Sequence, residues 1–372
     1  MSSNSDSQRT ILLNPGPVTL TERVRNAMLR GDWCHREKEF AQLTRDINKR
    51  LARVYRETEG KYLAVMMTGS GTAAVEAMCN SIAPVEGKTL VVVNGVYGER
   101  IAKMLAVHQR PHTVVSSDWG SPIDMDAVID ALDNDAEFTH VVTVHHETTT
   151  GRLNDLAPLG ALCHERNLRL LIDAVSSFGV EAIDFEGWNV AAIAATANKC
   201  LHSVPGISFV LARKEVWADE LVEAGSVYLD LSAYYSAQYG GGFSPFTQAV
   251  QPAFALQEAL KELQESGGWE QRRSIYRRRA GRIATTLIDM GLTTYLPPQE
   301  FSCVLWSWHL PDNVEYKAVH KFLKNRGFVI YAGQGDLGTK IFRIAHMGDI
   351  QESDLTRLEQ ALRDCFAAGV ER

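Results

Sequence analysis

A single lysine, Lys199, sits in Ala197-Asn-Lys-Cys200, between the apolar runs Val190–Thr196 and Val204–Leu211. Desolvating an ammonium is costly, so a lysine in such a turn is either exposed or kept for its amine. A desolvated lysine amine loses its proton more readily and can condense with a carbonyl. What the neighbouring apolar runs carry decides between the two. Leu168–Ile172 is followed at once by Asp173, an acid that burial penalises unless a cation or donor faces it. A protonated pyridine nitrogen is such a partner. Leu63–Met67 leads into Thr68-Gly-Ser-Gly-Thr72 and then a helical run. A Gly-Ser-Gly-Thr turn at a helix N-terminus offers free N–H groups and hydroxyls to a phosphate, although plain turn chemistry gives the same residues. It lacks the lysine of a nucleotide-binding loop.

Two further strand ends add to this set. Leu90–Val93 is followed by Asn94-Gly-Val-Tyr-Gly98, which puts Tyr97 where it is either a core tyrosine or a ring stacked on a planar ligand. His140–Val144 is followed by His145-His-Glu-Thr-Thr-Thr-Gly151, with three hydroxyl donors in a row. The adjacent histidines have no third ligand at a metal-binding spacing, so no metal is expected. An amine for an aldehyde, an acid for a ring nitrogen, an aromatic face and a phosphate cradle together describe one object, pyridoxal 5′-phosphate.

Those residues need a scaffold that brings strand ends together. The short apolar runs at 63–67, 90–93, 140–144, 168–172, 191–195 and 207–212 read as strands of a mostly parallel sheet buried on both faces, an α/β architecture. Ligands of such sheets lie beyond the carboxyl ends of the strands. Thr19-Leu-Thr-Glu22 reads as a capping box before a short helix, and Phe40, Leu43, Ile47, Leu51 and Val54 mark one face of a longer one. Further helices are expected through 156–166, 254–263 and 355–366, and C-terminal strands at 303–308, 328–331 and 341–345. With 372 residues, about two domains are expected. The reading is a disordered tail over 1–10, a large domain over 11–265 opened by an arm at 11–20, and a smaller α+β domain over 266–372.

A net charge of −7 gives no general attraction to nucleic acid or anionic membrane, and no apolar run is long enough to span a bilayer. The basic run Arg272–Arg282 is read as a solvated helix face; an arginine-rich nucleic-acid binder is the non-catalytic alternative. Six scattered cysteines and a polar N-terminus point to the cytoplasm.

Seven motifs carry a resemblance over nearly the whole chain: Leu13-Asn-Pro-Gly-Pro17, Asp32-Trp-Cys-His-Arg-Glu37, Gly69-Ser-Gly-Thr72, His146-Glu-Thr-Thr-Thr-Gly151, Asp173-Ala-Val-Ser-Ser-Phe-Gly179, Asn198-Lys-Cys200 and Phe342-Arg-Ile-Ala-His-Met-Gly348. The sequence resembles the class V aminotransferases, pyridoxal-phosphate enzymes of fold type I. Its Glu-Thr-Thr-Thr-Gly resembles the branch that moves the amino group of 2-aminoethylphosphonate to pyruvate. Alanine–glyoxylate and serine–pyruvate relatives, the alternative, tend to carry Glu-Ser-Ser-Thr-Gly. The resemblance implies Lys199 as the amine that holds the cofactor and moves the proton, and Asp173 on the ring nitrogen. It further implies Tyr97 stacked on the ring, Thr148 at the ring oxygen, and Ser70, Gly71 and Thr72 on the phosphate. Thr247 would join them from the second subunit of a homodimer with shared sites, and Arg343 and Gly16 would bind the substrate. The stacking position argues against a desulfurase, which needs a histidine there. Two departures stand out. Where Arg-Ile-Gly-Asn-Ile-Gly is expected the chain has Arg343-Ile-Ala-His-Met-Gly348, and the lysine is followed by Cys200-Leu-His-Ser-Val-Pro-Gly206. They place His346 and His202 at the substrate mouth.

Overall fold

The computed structural model describes residues 9–367. Most of the expected N-terminal tail, 1–8, lies outside the described residues. Arg9, assigned to the same tail, is ion-paired with Asp349 at 2.5 Å. The chain enters on β1 (Ile11–Leu12) and turns through Gly16 into α1 (Glu22–Ala27) and α2 (Lys38–Leu51). Thr21 caps α1 by accepting the Val24 N–H, whereas Thr19, the expected cap, uses its hydroxyl to accept the Leu12 N–H at 2.8 Å.

Strands and helices then alternate: β2 (Tyr62–Thr68), α3 (Gly71–Ile82), β3 (Lys88–Val93), α4 (Val96–Val107), β4 (His112–Ser116), α5 (Met125–Asp133) and β5 (Phe138–Val144). A two-residue ladder, β6 (His146–Glu147) with β7 (Arg152–Leu153), closes the threonine turn, and α6 (Ala157–Glu165) leads to β8 (Arg169–Asp173), β9 (Val190–Thr196) and β10 (Ile207–Arg213). Seven of these strands form one sheet in the order β2-β10-β9-β8-β5-β3-β4, parallel except for β10, which runs antiparallel to both neighbours. β9 is buried along its whole length, the pattern of a strand covered on both faces. The six strands read from sequence coincide with observed ones to within two residues at either end. β4 escaped that reading because it is an edge strand: His-Thr-Val-Val-Ser is partly exposed and lacks a continuous apolar run.

The chain continues through α7 (Leu231–Gly240), α8 (Val250–Glu265) and the long α9 (Gly268–Asp289). The rest comprises β11 (Leu305–His309), α10 (Tyr316–Lys324), β12 (Phe328–Val329), β13 (Tyr331–Ala332), β14 (Ile341–Ala345) and α11 (Glu352–Ala367). β11, β14 and β13 make a small antiparallel sheet, and β12 pairs in parallel with β1. Ile11 and Leu13 of the arm therefore sit in the C-terminal core with Leu287, Trp308, Phe342 and Leu358.

The basic run on α9 is not the solvated face expected. Arg272, Tyr276 and Arg279, at spacings of four and three, are buried on one side of the helix. Arg272 donates to the Cys200 carbonyl at 2.6 Å, and Arg279 donates to the carbonyls of His346, Gly348 and Ile350 at 2.8–2.9 Å. Arg278 and Arg282, on the outer side, pair with acids of α11. Composition could not separate the two sides, because a guanidinium with carbonyl acceptors can be buried where an unpartnered one cannot.

Candidate active site

Four sheet strands end at one cleft. Lys199 follows β9 in a turn, half-buried, with Nζ 5.8 Å from the centre of the Tyr97 ring. Tyr97 lies in the first turn of α4, just past β3, and the Arg100 guanidinium covers its ring at 4.7 Å. Asp173 closes β8. One carboxylate oxygen accepts the Val175 N–H at 2.9 Å, and no ion pair satisfies the other among the described residues. Burial raises the Asp173 pKa; the Val175 N–H and the charges of Lys199 and Arg100 oppose that rise. The carboxylate thus lacks a close cationic partner from the protein.

The N-terminus of α3 lies against the same strand ends. A Cβ on Gly71 would come within 2.7 Å of Val175 and 3.2 Å of Thr196, so the first turn can approach β8 and β9 only with glycine there. Ser70 and Thr72 flank it with exposed side chains, and the Ser70 hydroxyl makes no capping bond to the first N–H groups of the helix. Gly16, at φ +112°, carries the arm over the lysine: a Cβ there would sit 3.0 Å from Lys199 Cγ.

Arg343 reaches the cleft from β14. Its Nε donates to the Ala332 carbonyl at 2.8 Å and its Nη1 to the Thr148 carbonyl at 2.6 Å, leaving Nη2 without a partner among the described residues. Thr148 is buried, and its hydroxyl has no intramolecular partner there. Thr247 is not brought to the others. It is exposed in the loop before α8, which meets the end of β2 where the Ala249 N–H donates to Thr68 Oγ1 at 2.8 Å and that hydroxyl donates to Gln248 Oε1 at 3.3 Å.

A family model described as aminotransferase class V matches residues 22–343. The chain belongs to the class V aminotransferases. A 2-aminoethylphosphonate–pyruvate transaminase of Bacillus cytotoxicus is 34% identical over 363 residues, which are 97% of this chain and 98% of that protein. A bifunctional phosphonoacetaldehyde hydrolase/aminoethylphosphonate transaminase of Clostridioides difficile is 35% identical over 95% of this chain, which spans only 56% of that longer protein. An alanine–glyoxylate aminotransferase of Nostoc sp. superposes with a TM-score of 0.86 at 25% identity, covering 98% of this chain and 97% of the other. The aminotransferase is thus a fold type I enzyme and uses pyridoxal phosphate.

The cleft suits that cofactor in three respects. A buried carboxylate lacks a cationic partner, a helix start is kept clear by Gly71, and a lysine amine has no hydrogen-bond or ion-pair partner among the described residues. Two residues near it were not singled out from sequence. Arg100 could have been found as the i+3 neighbour of Tyr97 on one helix face. Glu147 is fully buried; it accepts the Thr149 hydroxyl at 2.5 Å and the Tyr97 N–H at 3.2 Å, and so fixes the ring's helix start. Gly95 makes room for it, since a Cβ there would lie 2.4 Å from the Glu147 carboxyl carbon. Burial pushes the Glu147 carboxyl up to about 7. An acid whose pKa is higher folded than unfolded loses stability as pH rises from its ordinary range through the folded value. Between roughly pH 4.5 and 7 the cofactor-free protein should lose about 3 kcal/mol from this group, and Glu147→Gln should flatten that slope in urea unfolding measured across the range.

The two histidines are not at the mouth. His346 is buried, its Nδ1 on the Cys303 carbonyl at 2.8 Å, and burial lowers its pKa to about 4. His202 is buried against α9, where burial first and then Arg272 and Arg279 keep it neutral. Both turn inward because the elements that carry them pack on α9, a long-range contact that motif comparison does not show.

Proposed function

We propose that this aminotransferase moves the amino group of 2-aminoethylphosphonate to pyruvate, giving phosphonoacetaldehyde and L-alanine. The observation that carries the reading is the open Nη2 of Arg343, presented in the same cleft as Lys199 by a guanidinium already anchored on Thr148. The near-full-length likeness to 2-aminoethylphosphonate–pyruvate transaminases supports the donor.

Bound pyridoxal phosphate supplies an aldehyde that condenses with amines and a ring that accepts the electron pair left when a proton departs. Lys199 would hold the cofactor through its amine and, as a free amine, would take the proton from the donor carbon that bears the nitrogen and pass it to the cofactor's aldehyde-derived carbon. Asp173 keeps the ring nitrogen protonated. Tyr97 covers one face of the ring, Thr148 donates at the ring oxygen, and Ser70, Gly71 and Thr72 hold the phosphate. Arg343 grips the phosphonate of the donor and then the carboxylate of pyruvate. Gly16 lets the arm roof the substrate. The same reading divides the chain at 265/266, so that the smaller part carries Arg343 to the larger.

The same proposal includes a homodimer with shared sites, in which Thr247, exposed in this chain, is assigned to the partner's cofactor phosphate. Location in the cytoplasm is proposed because all six cysteines are free thiols. A second reading, transamination of the alanine–glyoxylate or serine–pyruvate type, is favoured by the Nostoc structure. A donor panel separates the two. With pyruvate as acceptor, alanine should form faster from 2-aminoethylphosphonate than from L-serine, and L-alanine with glyoxylate should be the poorer pair. No alanine from the phosphonate would overturn the first reading.

A further inference from the structure

Two turns, the one carrying His202 after the lysine and His346-Met-Gly348 after the arginine, meet in space. His202 Nε2 accepts the Gly348 N–H at 3.0 Å. The Tyr276 hydroxyl of α9 contacts the same nitrogen, and the two rings stack with centroids 5.9 Å apart and planes 14° from parallel. Apart from a 3.8 Å sulfur contact between Cys200 and Met347, this is the direct polar link between the lysine turn and the exit of β14 among the described residues.

We propose that His202 is a positioning residue that sets the span between the Lys199 amine and the Arg343 guanidinium, and so matches the cleft to the length of the amino donor. His202 is three residues from Lys199, whose carbonyl accepts the His202 N–H at 2.9 Å. Gly348 is five residues beyond Arg343 and three past the end of β14, the strand that carries Arg343 and pairs with β11. The bond therefore joins the element that carries the reacting nitrogen to the element that carries the anion-binding group.

Three further contacts brace the joint. Arg272 holds the Cys200 carbonyl on the lysine side, and Arg279 holds the His346 and Gly348 carbonyls on the arginine side, so one helix face references both. The turn at Gly348 is tied to the arm, because the next residue, Asp349, donates its N–H to the Thr19 carbonyl at 2.8 Å, and a Cβ on Gly348 would lie 2.8 Å from that oxygen. His202 itself is held at φ +62°, a left-handed backbone that a histidine adopts only where its surroundings compensate. Here the side chain's two partners compensate. The Gly348 N–H requires an unprotonated Nε2, which places the ring proton on Nδ1.

The proposal rests on the donor reading above, and its test is built to fail separately. Leucine at 202 keeps bulk but removes the acceptor; glutamine returns an acceptor close to the Nε2 position. The readout is kcat/KM of the loaded enzyme for 2-aminoethylphosphonate divided by that for 3-aminopropylphosphonate, one methylene longer. His202→Leu should lower this ratio at least about tenfold, mostly through KM, while the visible band of the lysine-bound cofactor persists and His202→Gln restores the ratio. A ratio unchanged in His202→Leu overturns the proposal, as does an equal loss for both donors, which marks a merely structural residue. If the leucine variant does not fold, Tyr276→Phe, which removes the hydroxyl bracing the ring, should lower the ratio in the same direction, and no change overturns the proposal. If wild-type enzyme ignores the phosphonate, the donor reading fails alone, and the ratio is read with L-alanine over β-alanine.

Discussion

Lys199→Ala protein, loaded with pyridoxal phosphate, should show no visible band from a lysine-bound cofactor and should form alanine at least about 10³-fold more slowly than wild type. The geometry leaves no substitute. The other cations around the ring, Arg100 and Arg343, are guanidiniums that do not give up a proton, and the arm at Gly16 closes over the lysine stem. Removing the side chain also opens the space under Gly16, so an added small amine should restore part of the rate. Fold should be retained, because Lys199 is half-buried and makes no side-chain hydrogen bond among the described residues. Stopped-flow absorbance and a coupled alanine assay read both effects; a variant keeping the band would place the reactive amine elsewhere.

Asp173→Asn should separate stability from activity. The amide oxygen can still accept the Val175 N–H, so the turn after β8 keeps its shape. What is lost is the negative charge proposed to face the ring nitrogen. Breaking a buried charge pair costs about 3–5 kcal/mol, so the rate of proton removal should fall about 10²- to 10⁴-fold. Without cofactor the sign reverses. Burial raises the Asp173 pKa, which means that the folded protein binds this proton more tightly than the unfolded chain and loses stability as pH rises through that range. Asparagine has no such penalty, so cofactor-free Asp173→Asn should melt a few degrees higher than wild type at neutral pH. A variant that is both fully active and less stable would remove Asp173 from its assigned place.

The candidate site residues stood out in the sequence because they cluster at strand ends. Asp173, Tyr97 and the Gly71 turn each follow a continuous apolar run, and a sheet with parallel strands brings such ends together whatever the helices do. β4 was not legible, because an edge strand needs no apolar run. The arginines of α9 were misread for a related reason. Their burial depends on carbonyl groups of the turn at Cys200 and the strand exit at His346–Ile350, which come from other parts of the chain. His202 and His346 were visible as departures, but their direction, into the joint rather than into the cleft, is set by packing that no local pattern encodes.

The pairing of β1 with β12 joins Ile11 to Phe328, positions 317 residues apart, and it is this pairing that holds Gly16 over Lys199. The roof of the cleft therefore waits for the far end of the chain during synthesis. At roughly 5–20 residues per second, the sheet and its lysine spend on the order of ten seconds complete but unroofed before the C-terminal core emerges. Over that interval the cleft is an open door for the cofactor, and capture of the vitamin-derived ring can precede closure of the arm rather than having to force it.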